Sequence, residues 1–231
     1  MVSPFFFEEN LSSESEFILS EGTSRHVVQV LRMKENEEII LTNGKGYRKT
    51  ASIIFPDKKK TKVKIIQSKF QEQTKPETAI AISLIKNNNR FDWFLEKATE
   101  IGVSAIIPLI CKRSEKTHFR YERINSILIS AMLQSQQSWL PKISEPVKFS
   151  DVLMNENYDQ KFIAHCLNEE KRELKNVVKK NSSKIILIGP EGDFSEDEIQ
   201  KAIGQNYVPV SLGETRLRTE TAGLVAAVLL T

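Results

Sequence analysis

The segment Ile185-Ile-Leu-Ile-Gly-Pro-Glu-Gly-Asp-Phe-Ser195 decides the fold of the carboxyl-terminal part of this chain. Its apolar run is typical of a buried strand, the Gly-Pro pair ends that strand, and a helix is expected to start at Ser195. Val208-Pro-Val-Ser-Leu212 begins a second unit, followed by Gly213 and by Leu217-Arg-Thr-Glu-Thr-Ala222, which opens a last apolar helix. Two such units predict two loops at the carboxyl ends of neighbouring strands, where open α/β sheets bind ligands.

Upstream of these units, strands and helices also alternate. The apolar runs predict strands over Ala79–Ile85, Val103–Ile110 and Phe162–Cys166. Helical spacing predicts helices that end at Gly102 and that span Arg120–Leu133 and Glu169–Lys179, and a capping box over Ser195–Glu198 opens a helix that Gly204 ends. This rhythm predicts an α/β domain with a mainly parallel sheet and helices on both faces.

The amino-terminal residues 1–70 predict a separate, small β-rich domain, most simply a barrel. Ile39–Leu41 runs into the turn signal Asn43–Gly46, and strands are expected over Tyr47–Phe55 and Lys62–Ile66. One helix is expected over Thr23–Arg32 with Ser24 as its cap. The polar stretch Gln71–Glu77 contains Pro76 and is taken as the boundary, so that a second domain covers residues 74–231.

The composition is that of an ordinary globular protein. Of the 231 residues, 40% are hydrophobic and 27% are charged, and no apolar run reaches the roughly 20 residues that span a bilayer. We therefore expect a cytoplasmic protein without a membrane segment or a secretory leader. Cys111 and Cys166 lie far apart and lack metal spacing, and three scattered histidines predict neither a zinc site nor a nucleophile–base pair.

The positive charge is concentrated between Lys45 and Lys69, where nine Lys or Arg residues face one acid, Asp57. Such a block is typical either of a solvated strand face or of a phosphate-binding surface. The sequence alone leaves both interpretations open.

The loop Gly189–Gly192 lacks the lysine and the hydroxyl residue of a P-loop, and its glycine spacing is not that of a dinucleotide fold. Glu191 and Asp193 disfavour phosphate and favour a cationic or hydroxyl-bearing ligand such as ribose. The alternative is a tight turn that only ends a strand. Arg218 and Glu220 open the last helix, and a cation at a helix start needs an anionic partner. That partner is a structural acid, a substrate phosphate or a developing base anion.

These motifs resemble those of the RsmE family, the 16S ribosomal RNA uridine-N3 methyltransferases of the SPOUT superfamily. The residues that carry the resemblance are Gly189–Gly192, Leu212-Gly213 and Leu217–Ala222, together with Lys97–Val103, Pro108, Arg113-Ser114, His26–Arg32 and Phe6-Phe7. The resemblance implies a PUA-like amino-terminal RNA-binding domain and a SPOUT domain with a carboxyl-terminal trefoil knot. It also implies a homodimer whose active site lies near the subunit interface.

The resemblance implies transfer of a methyl group from S-adenosylmethionine to N3 of a specific uridine in 16S rRNA, within the small ribosomal subunit. Arg218 would stabilise the uracil anion, and Glu220 or a water would accept the proton. The expected cofactor residues are Leu187, Ile188, Gly189, Glu191, Gly192, Leu212, Gly213, Leu217, Arg218, Thr221 and Ala222. The expected RNA-binding residues are Arg25, Arg32, Lys45, Arg48, Lys49, Lys58, Lys59, Lys60, Arg90, Arg113 and Arg120.

The sequence departs from the family pattern at two places. Asp193 stands where a second glycine is usual after Pro-Glu-Gly, and Leu133-Gln-Ser-Gln-Gln137 stands where the family shows Glu-Gln-Ser/Cys-x-Arg. These departures keep open a second function, that of a non-catalytic RNA-binding or ribosome-assembly protein that kept the fold. A further alternative is an α/β enzyme that acts on a small nucleotide, although such an enzyme would not need the basic amino-terminal block.

Overall fold

The computed structural model describes residues 3–11, 14–73, 76–167 and 170–231. The chain forms two compact units, each with its own sheet. One unit contains Met1–Gln73 and Met132–Leu140, and the other contains Thr74–Ala131 and Pro141–Thr231. Across the described residues, no helix has both the length and the apolarity that crossing a membrane requires.

The amino-terminal unit is built on a five-stranded sheet. Its elements are β1 (Phe5–Phe7), β2 (Glu16–Ile18), α1 (Glu21–Arg25), a π-helical turn (His26–Val30), β3 (Glu38–Thr42), β4 (Tyr47–Phe55) and β5 (Lys62–Phe70). The strand order is β1-β3-β4-β5-β2, antiparallel except for the parallel pair β1–β3. Val27, Ile39, Leu41, Ile53 and Val63 are fully buried and form its core. The separate β-rich unit and its strands are therefore confirmed.

The first helix differs from its prediction. It begins at Glu21, and the side chain of Ser20, not that of Ser24, caps it by accepting from Thr23 N. Ser24 lies inside the helix, where its hydroxyl donates to Leu19 O and accepts from Thr61 N at 3.0 Å. Regular α-helix gives way to a π-turn at His26–Val30, so the single helix expected over Thr23–Arg32 is wrong.

The segment Met132–Leu140 packs within the amino-terminal unit, around the turn that joins β3 to β4. Gly46 N donates to Ser138 O at 2.9 Å, and Leu140 N donates to Gly44 O at 2.9 Å. The indole of Trp139 donates to Gln71 O at 2.8 Å. The first two bonds satisfy backbone groups of the turn that the strands leave unpaired, and the third satisfies the carbonyl that directly follows β5.

The second unit contains an eight-stranded sheet. Its elements are β6 (Thr78–Ser83), α2 (Asn88–Ile101), β7 (Ala105–Ile110), α3 (Tyr121–Gln134), β8 (Lys142–Ile143), β9 (Val147–Lys148), α4 (Phe149–Leu153), β10 (Gln160–Ala164), β11 (Arg172–Glu173), α5 (Leu174–Val177), β12 (Lys184–Ile188), α6 (Glu196–Gly204), β13 (Val208–Ser211) and α7 (Thr219–Leu230). The order is β11-β13-β10-β12-β6-β7-β8, with β9 also beside β7, and every pairing between these described strands is parallel. The mainly parallel sheet is confirmed.

One topological prediction is wrong: β12 and β13 are not neighbours, because β10 lies between them. Ala164 at the end of β10 pairs with Ile188 of β12 on one side and with Val210 of β13 on the other. The carboxyl ends of the three strands are therefore level. The two loops still meet at one edge of the sheet, but they do so across the end of a third strand.

Helices cover both faces of this sheet, as alternate side chains along each strand require. On one face, Ala79, Ile185 and Leu187 pack with residues of α4 and α6. On the other face, α7 lies against β6 and α2 so closely that a Cβ on Gly223 would be 2.7 Å from both Ile82 Cδ1 and Phe94. Only a residue without a side chain permits this approach.

The helix ends follow the sequence signals in most cases. Asn87 caps α2 and Gly102 ends it with φ 93°, and Ser195 and Glu198 form both bonds of the capping box of α6. The charged helix expected over Glu169–Lys179 is wrong over most of its length: only Leu174–Val177 is helical, directly after β11. Glu169 lies outside the described residues.

Candidate active site at the ends of three parallel strands

The loop after β12 is fastened to the end of β10 by Asp193. Asp193 has φ 63°, a left-handed conformation that Asp and Asn adopt more readily than most residues other than glycine. Its Oδ2 accepts from Cys166 N at 2.7 Å, and its Oδ1 accepts from Phe194 N at 2.8 Å. The carboxylate therefore joins two segments at the site through backbone hydrogen bonds.

The same loop is held from another side by the segment that follows β7. Arg113 Nη1 donates to Gly192 O at 2.7 Å and to Phe194 O at 3.3 Å. Lys112 N donates to Glu198 Oε1 at 2.7 Å, which ties the segment to the first turn of α6. Arg113, a predicted RNA-binding residue, is exposed, and its guanidinium also donates to two carbonyls of the loop that follows β12.

The loop between β13 and α7 forms the second half of the site. Gly213 has φ 144°, which favours glycine, and Ser211 Oγ donates to Gly213 O at 2.8 Å. Thr219, at the start of α7, donates its hydroxyl to Gly189 O at 3.0 Å, and this bond is buried. The two motif loops are thus directly connected.

Two adjoining cavities of about 330 Å³ each open between these loops. They share Ala164, Cys166, Arg216, Leu217 and Ala222. The expected cofactor residues in their walls are Ile188, Gly189, Glu191, Leu212, Gly213, Leu217, Arg218 and Ala222. Volumes and convergent polar groups of this kind are typical of small-molecule sites.

Three expected cofactor residues do not line either cavity. Leu187 is fully buried, because alternation along β12 places its side chain on the sheet face that packs against α4 and α6. Gly192 faces the Arg113 side chain: a Cβ added at Gly192 would lie 3.5 Å from Arg113 Cδ. Thr221 lies in the first turn of α7 but is not among the lining residues.

The two residues expected to act in catalysis both line the first cavity, in different environments. Arg218 is exposed at the position before α7, and it forms no ion pair within the described part of the chain. The Glu220 side chain is 8% exposed, and Arg90 Nε lies 3.6 Å from its Oε1. Arg90, predicted for the RNA surface, therefore lies at this cavity beside the buried carboxylate.

Sequence reasoning missed several groups of the site. Cys166 and Arg216 line both cavities, and Lys171 donates to His165 O and Leu167 O, at 2.7 Å each, beside the second cavity. Burial, followed by the nearby Asp193 carboxylate, raises the pKa of the Cys166 thiol. Knowledge that β10 lies between β12 and β13 would have identified its end as part of the wall.

The predicted RNA-binding cations on the β4–β5 hairpin lie near its two ends. Lys58–Lys60 lie exposed on the turn between β4 and β5, where Asp57 Oδ1 accepts from the backbone N of Lys59 and Lys60 at 2.8 Å each. Those bonds lower the pKa of Asp57. Lys45 and Arg48 lie near the other end of the same hairpin. The nine-residue strand β4 runs between these two ends, and at a rise of roughly 3.4 Å per residue the ends are about 27 Å apart.

The remaining predicted cations differ in accessibility. Arg25 and Arg32 are exposed, although Arg25 pairs with Glu21 at 3.0 Å. Arg48 is half-buried, and its guanidinium lies 4.9 Å from the centre of the Phe5 ring. Lys49 is only 7% exposed, so its assignment to an RNA-facing surface is corrected. It lies on the face of β4 that also carries the core residues Ala51 and Ile53.

Aromatic rings accompany the cations near Lys45, and the sequence patterns did not identify them. The Tyr47 and Phe70 rings lie 5.0 Å apart, and the Phe70 and Trp139 rings lie 6.1 Å apart. Tyr47 and Phe70 are 43% and 53% exposed. Exposed rings beside basic side chains are a common platform for unpaired RNA bases. Among the described residues, by contrast, no group of three or more His, Cys, Asp or Glu is arranged to hold a metal ion.

Comparisons with known proteins agree with this architecture. The profile of a family described as an RNA methyltransferase domain matches residues 71–231, and that of an RNA methyltransferase PUA domain matches residues 19–66. The chain is 32% identical to ribosomal RNA small subunit methyltransferase E of Buchnera aphidicola, over 96% of this chain and 89% of that protein.

Two solved structures are similar over nearly their whole length. A probable rRNA methyltransferase from Porphyromonas gingivalis has a TM-score of 0.91 and 33% identity, covering 97% of this chain and 95% of that one. Ribosomal RNA small subunit methyltransferase E from Neisseria gonorrhoeae, bound to S-adenosyl methionine, has a TM-score of 0.86 and 31% identity, covering 98% and 95%.

The fold and the site thus define a two-unit α/β protein of the RNA-modifying class, with a PUA domain on its own sheet. The chain belongs to the RNA methyltransferase family whose members include ribosomal RNA small subunit methyltransferase E.

Proposed function

We propose that this protein transfers a methyl group from S-adenosylmethionine to N3 of a specific uridine in 16S rRNA of the small ribosomal subunit. The observation that carries the proposal is the meeting of both family loops at one pair of cavities, bounded by the exposed Arg218 and the buried Glu220. The methyltransferase identity of the relatives, and the cofactor bound in one of them, support the cofactor and the rRNA substrate.

The residues at the cavities fit S-adenosylmethionine. Its adenine needs apolar walls, which Ile188, Leu212 and Leu217 supply. Its ribose hydroxyls and ammonium group need acceptors, and its carboxylate needs a cation. Glu191 and Asp193 offer acceptor oxygens, and Arg216 offers a cation at the junction of the cavities. This set of donors, acceptors and apolar groups matches the cofactor better than it matches a phosphate-rich nucleotide.

When bound, S-adenosylmethionine supplies a methyl group on a sulfonium, which is a good leaving group. The chain's own task is to position uracil and to support loss of the proton on N3. Arg218 lies exposed with no acid paired to it among the described residues, so its guanidinium is free to stabilise negative charge on the uracil carbonyl oxygens. Glu220 or a water accepts the proton, and N3 forms its bond to the methyl carbon as the carbon–sulfur bond breaks.

Arg90 is a positioning residue in this scheme. Its Nε lies 3.6 Å from Glu220 Oε1, so it holds that carboxylate at the cavity wall. The buried hydrogen bond from Thr219 to Gly189 O fixes the helix that carries Glu220, and Arg218 just before it, against the first loop. Preorganisation of this kind reduces the reorganisation needed during the reaction.

The PUA unit is proposed to hold the RNA backbone through cations that include both ends of its β4–β5 hairpin. Backbone contacts of this kind position the RNA without reading its sequence, and the target base must leave its stack to reach the cofactor. The affinity for RNA is then expected to fall steeply with salt concentration. The cations are the exposed Arg25, Arg32, Lys45, Lys58, Lys59 and Lys60 and the half-buried Arg48.

The trefoil knot, the closure of the amino-terminal sheet into a barrel, the homodimer and a cytoplasmic location are further parts of this proposal. The contact between the start of α7 and the loop after β12 supports the knot, because it brings the last helix back to the middle of the sheet. The similarity in structure to family members over nearly the whole chain supports the two features of the fold, the knot and the barrel.

The test measures methyl transfer from radiolabelled S-adenosylmethionine to small subunits that lack the modification, to naked 16S rRNA and to free uridine. The nucleosides are then separated to identify 3-methyluridine. Arg218→Ala is expected to lower kcat/KM by about 10² or more, as loss of an electrostatic donor usually does. Arg172→Ala, which removes an exposed arginine from β11, is the matched control and is expected to keep wild-type activity.

Each alternative predicts a different result. Methylation at another atom refutes the N3 assignment, and Arg218→Ala activity within about threefold of wild type refutes the role of Arg218, since loss of an electrostatic donor costs far more. RNA binding without cofactor binding, measured by calorimetry, would indicate the non-catalytic function. Activity on free uridine that equals activity on subunits would indicate a small-nucleotide enzyme.

A further inference from the structure

A third cavity of the methyltransferase unit lies apart from the cofactor loops and has a strongly basic wall. It measures about 360 Å³ and is lined by side chains from the start of α2, from the segment before α3 and from the first turn of α3. Its charged or titratable residues are Lys116, His118, Arg120, Arg123 and Asp92, and we call it the basic cavity. Three cations thus face one carboxylate.

The internal bonds of the basic cavity leave part of its positive charge uncompensated. Arg123 Nη2 pairs with Asp92 Oδ2, and Lys116 Nζ donates to the neutral Asn88 side chain. Arg120 is exposed, and no acid pairs with it in the part of the chain that the structure describes. Burial lowers the pKa of Lys116, and so does the charge of Arg123, while Asp92 opposes them. A concave site with excess positive charge attracts anions.

The basic cavity lies one helix away from the proposed reaction site. Arg90 of α2 lines the first cofactor cavity, whereas Asn88 and Asp92 of the same helix line the basic cavity. Residues two apart on a helix face different sides, and a helix with its side chains is about 10–12 Å wide. An RNA strand that delivers its base to one cavity therefore has phosphate groups within reach of the other.

We propose that the basic cavity binds a phosphodiester group of the substrate RNA close to the target uridine, with Arg120 and Lys116 as its principal contacts. The proposal rests on the proposed function for the identity of the anion. Guanidinium groups match phosphate in a planar, bidentate way, and an ammonium adds a compact charge. His118 supplies a further donor at the same wall. The contact carries no sequence information and fixes the register of the strand.

The test is the salt dependence of RNA binding, followed by the anisotropy of a labelled single-stranded RNA at several salt concentrations. Removing one phosphate contact is expected to weaken binding and to reduce the slope of log K against log salt by about 0.7. Arg120→Gln and Lys116→Gln are the test variants, and Arg120→Lys is expected to keep most of the slope. Lys180→Gln, at an exposed lysine of the same unit outside the three cavities, is the matched control.

A variant that is expected to bind RNA more tightly provides a second test, because misfolding would not increase the affinity for RNA. Asp92→Asn removes the one carboxylate among the described lining residues of the basic cavity and releases Arg123, so RNA is expected to bind more tightly and with a steeper salt slope. Unchanged binding in Arg120→Gln, Lys116→Gln and Asp92→Asn relative to Lys180→Gln would overturn the proposal. The proposal would also be overturned if inorganic phosphate binds in the basic cavity at constant ionic strength but does not displace RNA. The cavity would then bind a free anion and not the RNA backbone.

This experiment separates the inference from the proposed function. Calorimetry with S-adenosylmethionine is expected to give the same affinity in wild type, Arg120→Gln and Lys180→Gln, because the basic cavity does not share lining residues with the cofactor cavities. If the wild type binds the cofactor and methylates RNA while the variants match the control, only the inference fails. If the wild type binds no cofactor, the proposed function fails, and the RNA slopes still decide the role of the basic cavity.

Discussion

Replacement of Thr219 by valine tests whether the two motif loops act as one unit. Thr219 is 5% exposed, and its hydroxyl donates a hydrogen bond, 3.0 Å long, to Gly189 O. Valine has the same shape but no donor, so the change leaves the Gly189 carbonyl in a buried place without this partner. A buried polar group that loses its partner costs about 1–3 kcal/mol. At roughly 2–4 °C per kcal/mol for a protein of this size, the melting temperature is expected to fall by about 2–12 °C.

The assay compares Thr219→Val with Thr219→Ser, which keeps the hydroxyl and loses only a methyl group. Thermal unfolding is followed with and without S-adenosylmethionine, because the transition that the cofactor raises belongs to the unit that binds it. Calorimetry then gives the cofactor affinity. In Thr219→Val it is expected to weaken by up to about tenfold, if the less ordered loops reduce the free energy of cofactor binding by about 1.4 kcal/mol. A valine variant as stable as the serine variant, with wild-type cofactor affinity, would refute the coupling of the loops.

Two further changes probe the packing of α7 and the cofactor cavities. Gly223→Ala is expected to destabilise the protein by about 1–3 kcal/mol in urea unfolding, because its Cβ would lie 2.7 Å from Ile82 and Phe94. The control Gly204→Ala, whose Cβ would have nothing within 4 Å, is expected to be neutral or stabilising. Equal stabilities of the two variants would contradict the close packing at Gly223. The pKa of Cys166 is raised, so the reactive thiolate forms only at a higher pH than in an ordinary cysteine and is lost as the pH falls through that raised pKa. Alkylation by iodoacetamide, located by mass spectrometry, is thus expected to be slow near neutral pH, faster in alkali and blocked by S-adenosylmethionine. The buried Cys111, whose pKa is raised to about 12, serves as the unreactive internal control, and alkylation of Cys166 unaffected by the cofactor would contradict its place in the site.

Local patterns sufficed to predict most elements of the α/β unit. The run before Gly189 becomes β12, fully buried along its length, because a strand covered by helices on both faces needs apolar side chains on both sides. The capping box at Ser195 and the stop at Gly102 hold because they depend on hydrogen bonds within one turn. Strand order depends instead on contacts between distant segments, and for that reason the insertion of β10 between β12 and β13 had no local signal.

The surroundings of individual site residues likewise depend either on local patterns or on contacts between distant segments. The burial of Lys49 follows from the alternation of β4 and could have been read from its spacing to Ala51 and Ile53. The engagement of Arg113 by Gly192 O could not, since it joins segments 79 residues apart. Arg90 is a similar case: its place on α2 is local, whereas its approach to Glu220 depends on how α7 packs against α2.

The two departures from the family pattern have different structural consequences. At Asp193 the backbone is left-handed, which explains why glycine is usual there, and the carboxylate adds two hydrogen bonds that glycine lacks. The Asp193 carboxylate fastens the loop to the end of β10, so aspartate at this position is compatible with a cofactor site between the loops. Gln137 lies in the segment Met132–Leu140, which packs within the amino-terminal unit, and it lines none of the three cavities. The walls of the cofactor cavities contain Arg218, Glu220 and parts of both glycine-bearing loops, so the groups to which we assign methyl transfer do not include position 137. The departure at Gln137 bears instead on any substrate contact that an arginine at this position would make.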